Sequence, residues 1–211
     1  MLNFFIKRKN YLVLFFSLSY LAAFTLNGIF YANFEFLYYT VLMSALIYIV
    51  IIVHRRLHLA FFILFNLSFL GLFHLLGGNV YLGSVRLYDF YLIPDIFRYD
   101  NFVHSYGTFI GVIALYSLLY NAIDLEVKKR YWIFALLLVL MAIGMGTIVE
   151  LVEFFAVLIF GVIKQVGDYY NNTLDLLFNT LGATLGTIVI YFYHHRPLFI
   201  KKINGQLKKD N

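Results

Sequence analysis

The sequence predicts an all-α integral membrane protein: a bundle of six transmembrane helices, both termini cytoplasmic, forming one membrane domain over residues 1–211. Three observations predict it. Hydrophobic residues make up 63% of the chain and charged residues 13%, against roughly 45–50% and about 25% in soluble domains, so charge cannot cover an aqueous surface. Six apolar runs are each long enough to cross about 30 Å of hydrocarbon. The basic residues cluster on alternate sides of those runs, as the positive-inside rule requires. A soluble enzyme, a nucleic-acid reader and a disordered tail are excluded together, and the net charge of +5 reports orientation rather than an affinity for nucleic acid. The absence of cysteine removes disulfides, thiolate metal sites and Cys nucleophiles.

The spans follow in order. The first, 11–30, comes after Lys7, Arg8 and Lys9 as a signal peptide would, but its apolar stretch exceeds the roughly 7–15 residues of a cleavable segment, so it is a retained helix. The second, 34–53, ends at His54, Arg55 and Arg56, and the third, 57–78, leads into the one long loop, 79–101. The fourth covers 102–120, and Lys128, Lys129 and Arg130 introduce the fifth at 131–152. An apolar continuation to residue 163 would extend that helix to about 50 Å, more than a bilayer accommodates. A kink near Gly144 and Gly146, or a lid along the outer interface, is therefore expected. The sixth span, 174–193, ends at His194, His195 and a basic tail.

With cytoplasmic termini, 13 of the 16 Lys and Arg lie inside, and only Arg86, Arg98 and Lys164 lie outside. The acids do the reverse: Glu35, Asp89, Asp95, Asp100, Glu150, Glu153, Asp168 and Asp175, eight of eleven, fall at or beyond the outer half. Acidic residues contribute little to topology, so a use for them on the outer side is expected.

Residues three, four, seven and eleven apart share a helix face, and small residues mark close approach between membrane helices. His104 shares a stripe with Gly107 and Gly111, with Asp100 one turn earlier. Glu150 and Glu153 continue a stripe from Gly146; Asp175, Asn179, Gly182 and Gly186 form another, and Gly71, His74 and Gly78 a fourth. The polar groups of four successive helices are therefore expected to point into one interior at one outer level, with the first two helices peripheral.

Asp-x-x-x-His at 100–104 and Glu-x-x-Glu at 150–153 each place two ligands on one face. Carboxylate plus imidazole suits Zn, Mn or Fe, and carboxylates alone suit Mg or Ca. Three readings stand: a metal or acid/base site, a structural polar network or partner-binding surface, and an ion or solute pathway. The third needs titratable groups staged across the membrane, whereas the inner halves offer scattered groups such as Ser117 and Thr187. In an enzyme, Glu150 or Glu153 would be the general base and His104 the proton donor or a ligand. Asn179 and the outer cations Arg86, Arg98 and Lys164 are the substrate-binding candidates, for a lipid or envelope-linked substrate with a phosphate group. The outer tyrosines, among them Tyr81, Tyr88 and Tyr99, read as interfacial anchors.

Four stretches carry a family resemblance: HLLGGNVYLGSV at 74–85, RYDNFVHSYG at 98–107, VELVEFF at 149–155 and GDYYNNTLDLLFNTLGA at 167–183. In these the chain resembles the YjdF-like family of bacterial inner-membrane proteins, which carries a domain of unknown function. The last three stretches are also similar, more loosely, to VanZ-like proteins, which are associated with reduced glycopeptide susceptibility. The resemblance implies a location in the bacterial inner membrane and places the family's polar motif, as a metal-ligand set, on His74, Asp100, His104, Glu150, Glu153, Asp168 and Asp175. The chain departs at Asn171, where YjdF-like sequences tend to have Asp. No reaction comes with the resemblance.

Overall fold

The computed structural model describes the backbone over residues 2–31, 34–161 and 169–207, and side chains within 8–31, 37–159 and 169–193. Among the described residues it contains α1 (Leu2–Phe30), α2 (Phe34–Leu57), α3 (Phe61–Asn79), α4 (Tyr99–Leu119), the short α5 (Leu125–Lys129), α6 (Tyr131–Phe160) and α7 (Tyr169–Leu207). Six of these are long and apolar enough to cross a membrane. The chain is therefore an all-α, six-span protein whose solvent is lipid, and side chains such as Phe15, Trp132 and Leu158 lie on its outside without penalty.

Side-chain pairings fix the direction of each helix. Asn10 meets His54, so α1 and α2 are antiparallel; Ser17 meets Ser68 and Asn27 meets Asn79, so α1 and α3 run parallel. Tyr106 donates to Asn66 and Tyr99 to the Phe73 carbonyl, making α3 and α4 antiparallel. Asn101 and Ser105 pair with Asp175 and the carbonyl of Phe178, so α4 and α7 run side by side in the same direction. α6 lies against both in the opposite direction, with Met145 near Gly111 and Asn179 seated on Gly146. The C-terminal ends of α1, α3 and α6 and the N-terminal ends of α2, α4 and α7 consequently share one end of the molecule.

α4, α6 and α7 form the inner bundle. Its apolar core of Val112, Phe134, Leu138, Ala142, Ala183 and Ile190 fills the half away from the shared end. α1 and α2 pack on α3 and on each other, which agrees with their expected peripheral place. An aromatic ladder along α3, Phe61, Phe65, Phe69 and Phe73, has centroids 4.7–5.9 Å apart and continues across to Phe102 and Tyr106 of α4 at 5.5 Å.

Three expectations change. The loop at 79–101 is folded into two antiparallel hairpins, β1 (Tyr81–Leu82) with β2 (Val85–Arg86) and β3 (Tyr91–Ile93) with β4 (Phe97–Arg98), joined by a 3-10 turn at Leu87–Asp89. α6 runs unbroken for 30 residues and stops at Gly161, which takes the left-handed conformation at φ 69°. The expected kink is absent: the helix is continuous, and Gly146 serves close approach to Asn179 rather than bending. Gly71 does not face the shared interior: a Cβ there would meet Tyr20 Oη of α1 at 2.6 Å and Met43 Sδ of α2 at 3.2 Å. A helix packed on both sides distributes its small residues to both, and α3 is packed on both sides.

Candidate functional site

The chain enters α4 from β4 through a cap in which the Arg98 backbone N–H donates to Asn101 Oδ1 at 3.0 Å. That cap satisfies a backbone donor left over at the helix start and orients Asn101, which is fully buried. Asn101 Nδ2 then donates to Asp175 Oδ1 of α7 at 3.1 Å, and Asn171 Nδ2, one turn before Asp175, donates to Oδ2 at 2.7 Å. Arg98 in turn donates to Asn171 Oδ1. A fully buried carboxylate is thus held by two amides, as a buried charge requires.

His104 lies one turn into α4 and is the hub. Its Nε2 is 3.5 Å from Asp100 Oδ1 and 3.9 Å from Asp175 Oδ1, and its Nδ1 is 3.6 Å from Glu150 Oε1. Ligand atoms of Asp100, His104 and Asp175 all lie within 4.8 Å of one another. Glu150 is 8% exposed, and neither of its oxygens has a hydrogen-bond partner among the described residues; nor does Nδ2 of Asn179, at 1%. One imidazole faces three acids, a surplus of negative charge in a low-dielectric setting that needs a proton or a cation to balance it.

The structure thus brings together Asp100, His104, Glu150 and Asp175, with Asn179 one turn deeper on α7. Glu153, half-buried one turn further along α6, makes no ion-pair contact among the described residues but lies close enough to interact electrostatically with Asp100, His104, Glu150 and Asp175. His74 borders the cluster, near enough to His104 to interact with it electrostatically, and is tied to the loop: its Nδ1 is bonded to Tyr88 Oη at 2.5 Å, and its ring is edge-on to Tyr39 at 5.5 Å. Arg86 pairs with Asp89 at 3.0 Å and lies over the Tyr88 ring. Lys164 and Asp168 lie outside the described residues. A groove of about 440 Å³ at the same end is lined by Asn27, Tyr31, Gly78, Asn79 and Tyr81, and by no residue of the cluster.

Two residues of this region were not legible as such. Asn101 was hidden beside Asp100, although its place three residues after Arg98 is the frame of a helix cap. Tyr88 read as an anchor, although Gly77 beside His74 signals the slot that admits its ring: a Cβ on Gly77 would lie 2.7–2.9 Å from it.

Fold and cluster together define the class, a multi-pass membrane protein with a buried histidine and carboxylate cluster at one end of a helix bundle. The chain belongs to the family described as predicted membrane protein (DUF2238), whose model matches residues 12–196. YjdF is a member of that family, and every residue of the cluster lies inside the match. No curated protein matches the chain, and no solved structure does.

Proposed function

We propose that the cluster is a divalent-cation site on the extracytoplasmic side of the cell membrane, at which the protein handles a lipid or envelope-linked substrate. The observation that carries this reading is the convergence of Asp100, His104 and Asp175 to within 4.8 Å. Two carboxylates and an imidazole suit Zn, Mn or Fe, and three protein ligands leave the open position of a reactive metal site. The cation would act as a Lewis acid toward an incoming oxygen. His104, facing acids through both ring nitrogens, would either ligate it or carry a proton. Glu150 stands beside that position with two unpaired oxygens, as a general base or a fourth ligand. The outer placement follows from the positive-inside rule, since the shared end carrying the cluster is the end opposite Arg55, Arg56 and Lys128–Arg130.

Metal analysis of purified protein tests this, using wild type, His104→Ala and Glu150→Gln. About one divalent ion per chain is expected in wild type, with affinity in His104→Ala lowered by more than the roughly 10–100-fold that outer-sphere partners alone are worth. No bound ion on titration with Zn, Mn, Fe and Mg, and no thermal stabilisation by any of them, would overturn the reading.

A non-catalytic role has its own support in Asp175, whose two oxygens are already satisfied by Asn101 and Asn171. Under that second reading the network fixes how α4 meets α7, and Glu150→Gln changes neither metal content nor bound lipid.

A further inference from the structure

Both Glu150 oxygens and Asn179 Nδ2 are buried with no hydrogen-bond partner among the described residues, the 3.6 Å contact of Glu150 Oε1 with His104 being too long for one, and orphaned polar atoms inside a membrane bundle are costly. They are of opposite kinds, two acceptors and one donor. Helix geometry turns them toward each other. On antiparallel α6 and α7, Asn179 sits on Gly146, which puts Glu150, one turn along, at the level of Asp175. Side chains lean toward the N-terminus of their own helix. Glu150 therefore leans back toward Gly146, and Asn179 toward Asp175, so that both enter the same gap from its two ends. Gly146 admits the Asn179 amide between the helices, since a Cβ there would stand 2.5 Å from Asn179 Nδ2.

We propose that Glu150 and Asn179 hold a hydroxyl group between them, its oxygen accepting from Asn179 Nδ2 and its proton donated to a Glu150 oxygen. The two do not bond each other directly, and the single group that meets both is one that both accepts and donates. A bare cation satisfies Glu150 and leaves Nδ2 unpaired, while a carbonyl does the reverse. The hydroxyl of water or of an alcohol on a lipid or envelope substrate has the required chemistry and size. This rests on reading the cluster as a working site and deepens it by naming the atom presented to it. A hydroxyl with its proton at a carboxylate is oriented as activation of water or alcohol requires.

A structure of the full chain in lipid nanodiscs, at a resolution that shows ordered water, tests the proposal in the wild type and needs no variant to fold. Density within hydrogen-bond reach of both Glu150 and Asn179 Nδ2 is expected. An isolated peak identifies water, and density continuing out of the gap identifies a larger alcohol; either supports the proposal. A gap with no density, or a direct Glu150 to Asn179 hydrogen bond closing it, would overturn it. Asn179→Leu should lose that density while keeping divalent-ion affinity within about twofold of wild type, whereas His104→Ala loses the ion. Bridging density in a protein that binds no ion would keep this proposal and refute the cation site.

Discussion

Asp175 and Tyr88 carry out their roles with neighbours distant in sequence. Asp175 is fully buried and spends both oxygens on amides from Asn101 and Asn171, so its position is set by α4 and by its own helix at once. Tyr88 sits on a surface turn yet reaches His74 through the slot beside Gly77, closing the folded loop onto α3. Burial pushes the Tyr88 phenol well above its ordinary range, with Asp100 and Glu153 adding to the rise, so it stays neutral where an ordinary tyrosine would ionise. Tyr88→Phe should cost about 1 kcal/mol for the lost hydrogen bond, read as a melting shift of roughly 2–4 °C in detergent. The sign with pH follows from the raised value. The phenol of the unfolded chain ionises near pH 10 while the folded one does not, so the wild-type advantage holds to about pH 9 and shrinks above it. A constant difference through pH 11 would show that Tyr88 is not shielded.

At the scale of the helices, glycine position decides what the bundle tolerates. Gly182 lies against the carbonyl of Ser105, and a Cβ there would also stand 2.5 Å from Thr108 Oγ1; Gly144 has nothing within 4 Å. Gly182→Ala should therefore destabilise by about 1–3 kcal/mol through overpacking. Gly144→Ala should be neutral or stabilising by up to about 1 kcal/mol through helix propensity. Thermal melts of the two variants check the contrast, and equal effects would mean that α4 and α7 are not in this close register. This scale also shows what the sequence discloses. The row Asp175, Asn179, Gly182, Gly186 is readable because one helix face repeats every three to four residues, and it does face the inner bundle, Asp175 and the two glycines toward α4 and Asn179 toward α6. The Gly71 row was misread because periodicity gives a face but not the neighbour that occupies it, and α3 has neighbours on both sides. The hairpins of the 79–101 loop escaped notice because strands of two or three residues carry too little alternation to register. Asn101 escaped because a cap is invisible until the helix start is known.

For the whole molecule, alternation of the six spans places the start of α1 and the end of α7 on the side away from the cluster, and the proposed orientation, taken from the positive-inside rule, makes this side cytoplasmic. A chain with no cysteine allows that to be read directly with single introduced thiols. Ser84→Cys, in the turn between β1 and β2, should react with a membrane-impermeant maleimide on intact cells. Lys129→Cys, in α5, should react only after permeabilisation. The opposite pattern would invert the protein and put the cluster at the cytoplasmic face.

The parallel pairing of α4 with α7 has a consequence for how the protein is made. Chains are synthesised and inserted from the N-terminus, so His104 and Glu150 reach the membrane before Asp175, Asn171 and Asn179 exist to accompany them. Until the last helix arrives, the hub of the cluster must keep to the aqueous boundary or be sheltered by the insertion machinery. Arrival of α7 supplies Asp175 together with the Asn171 amide that joins Asn101 in steadying it, and the glycines that let two backbones touch, in a single event. Completion of the site and completion of the fold are then the same step, and a chain that fails to insert its final span carries its own marker of incompleteness: unsated acids at the membrane surface.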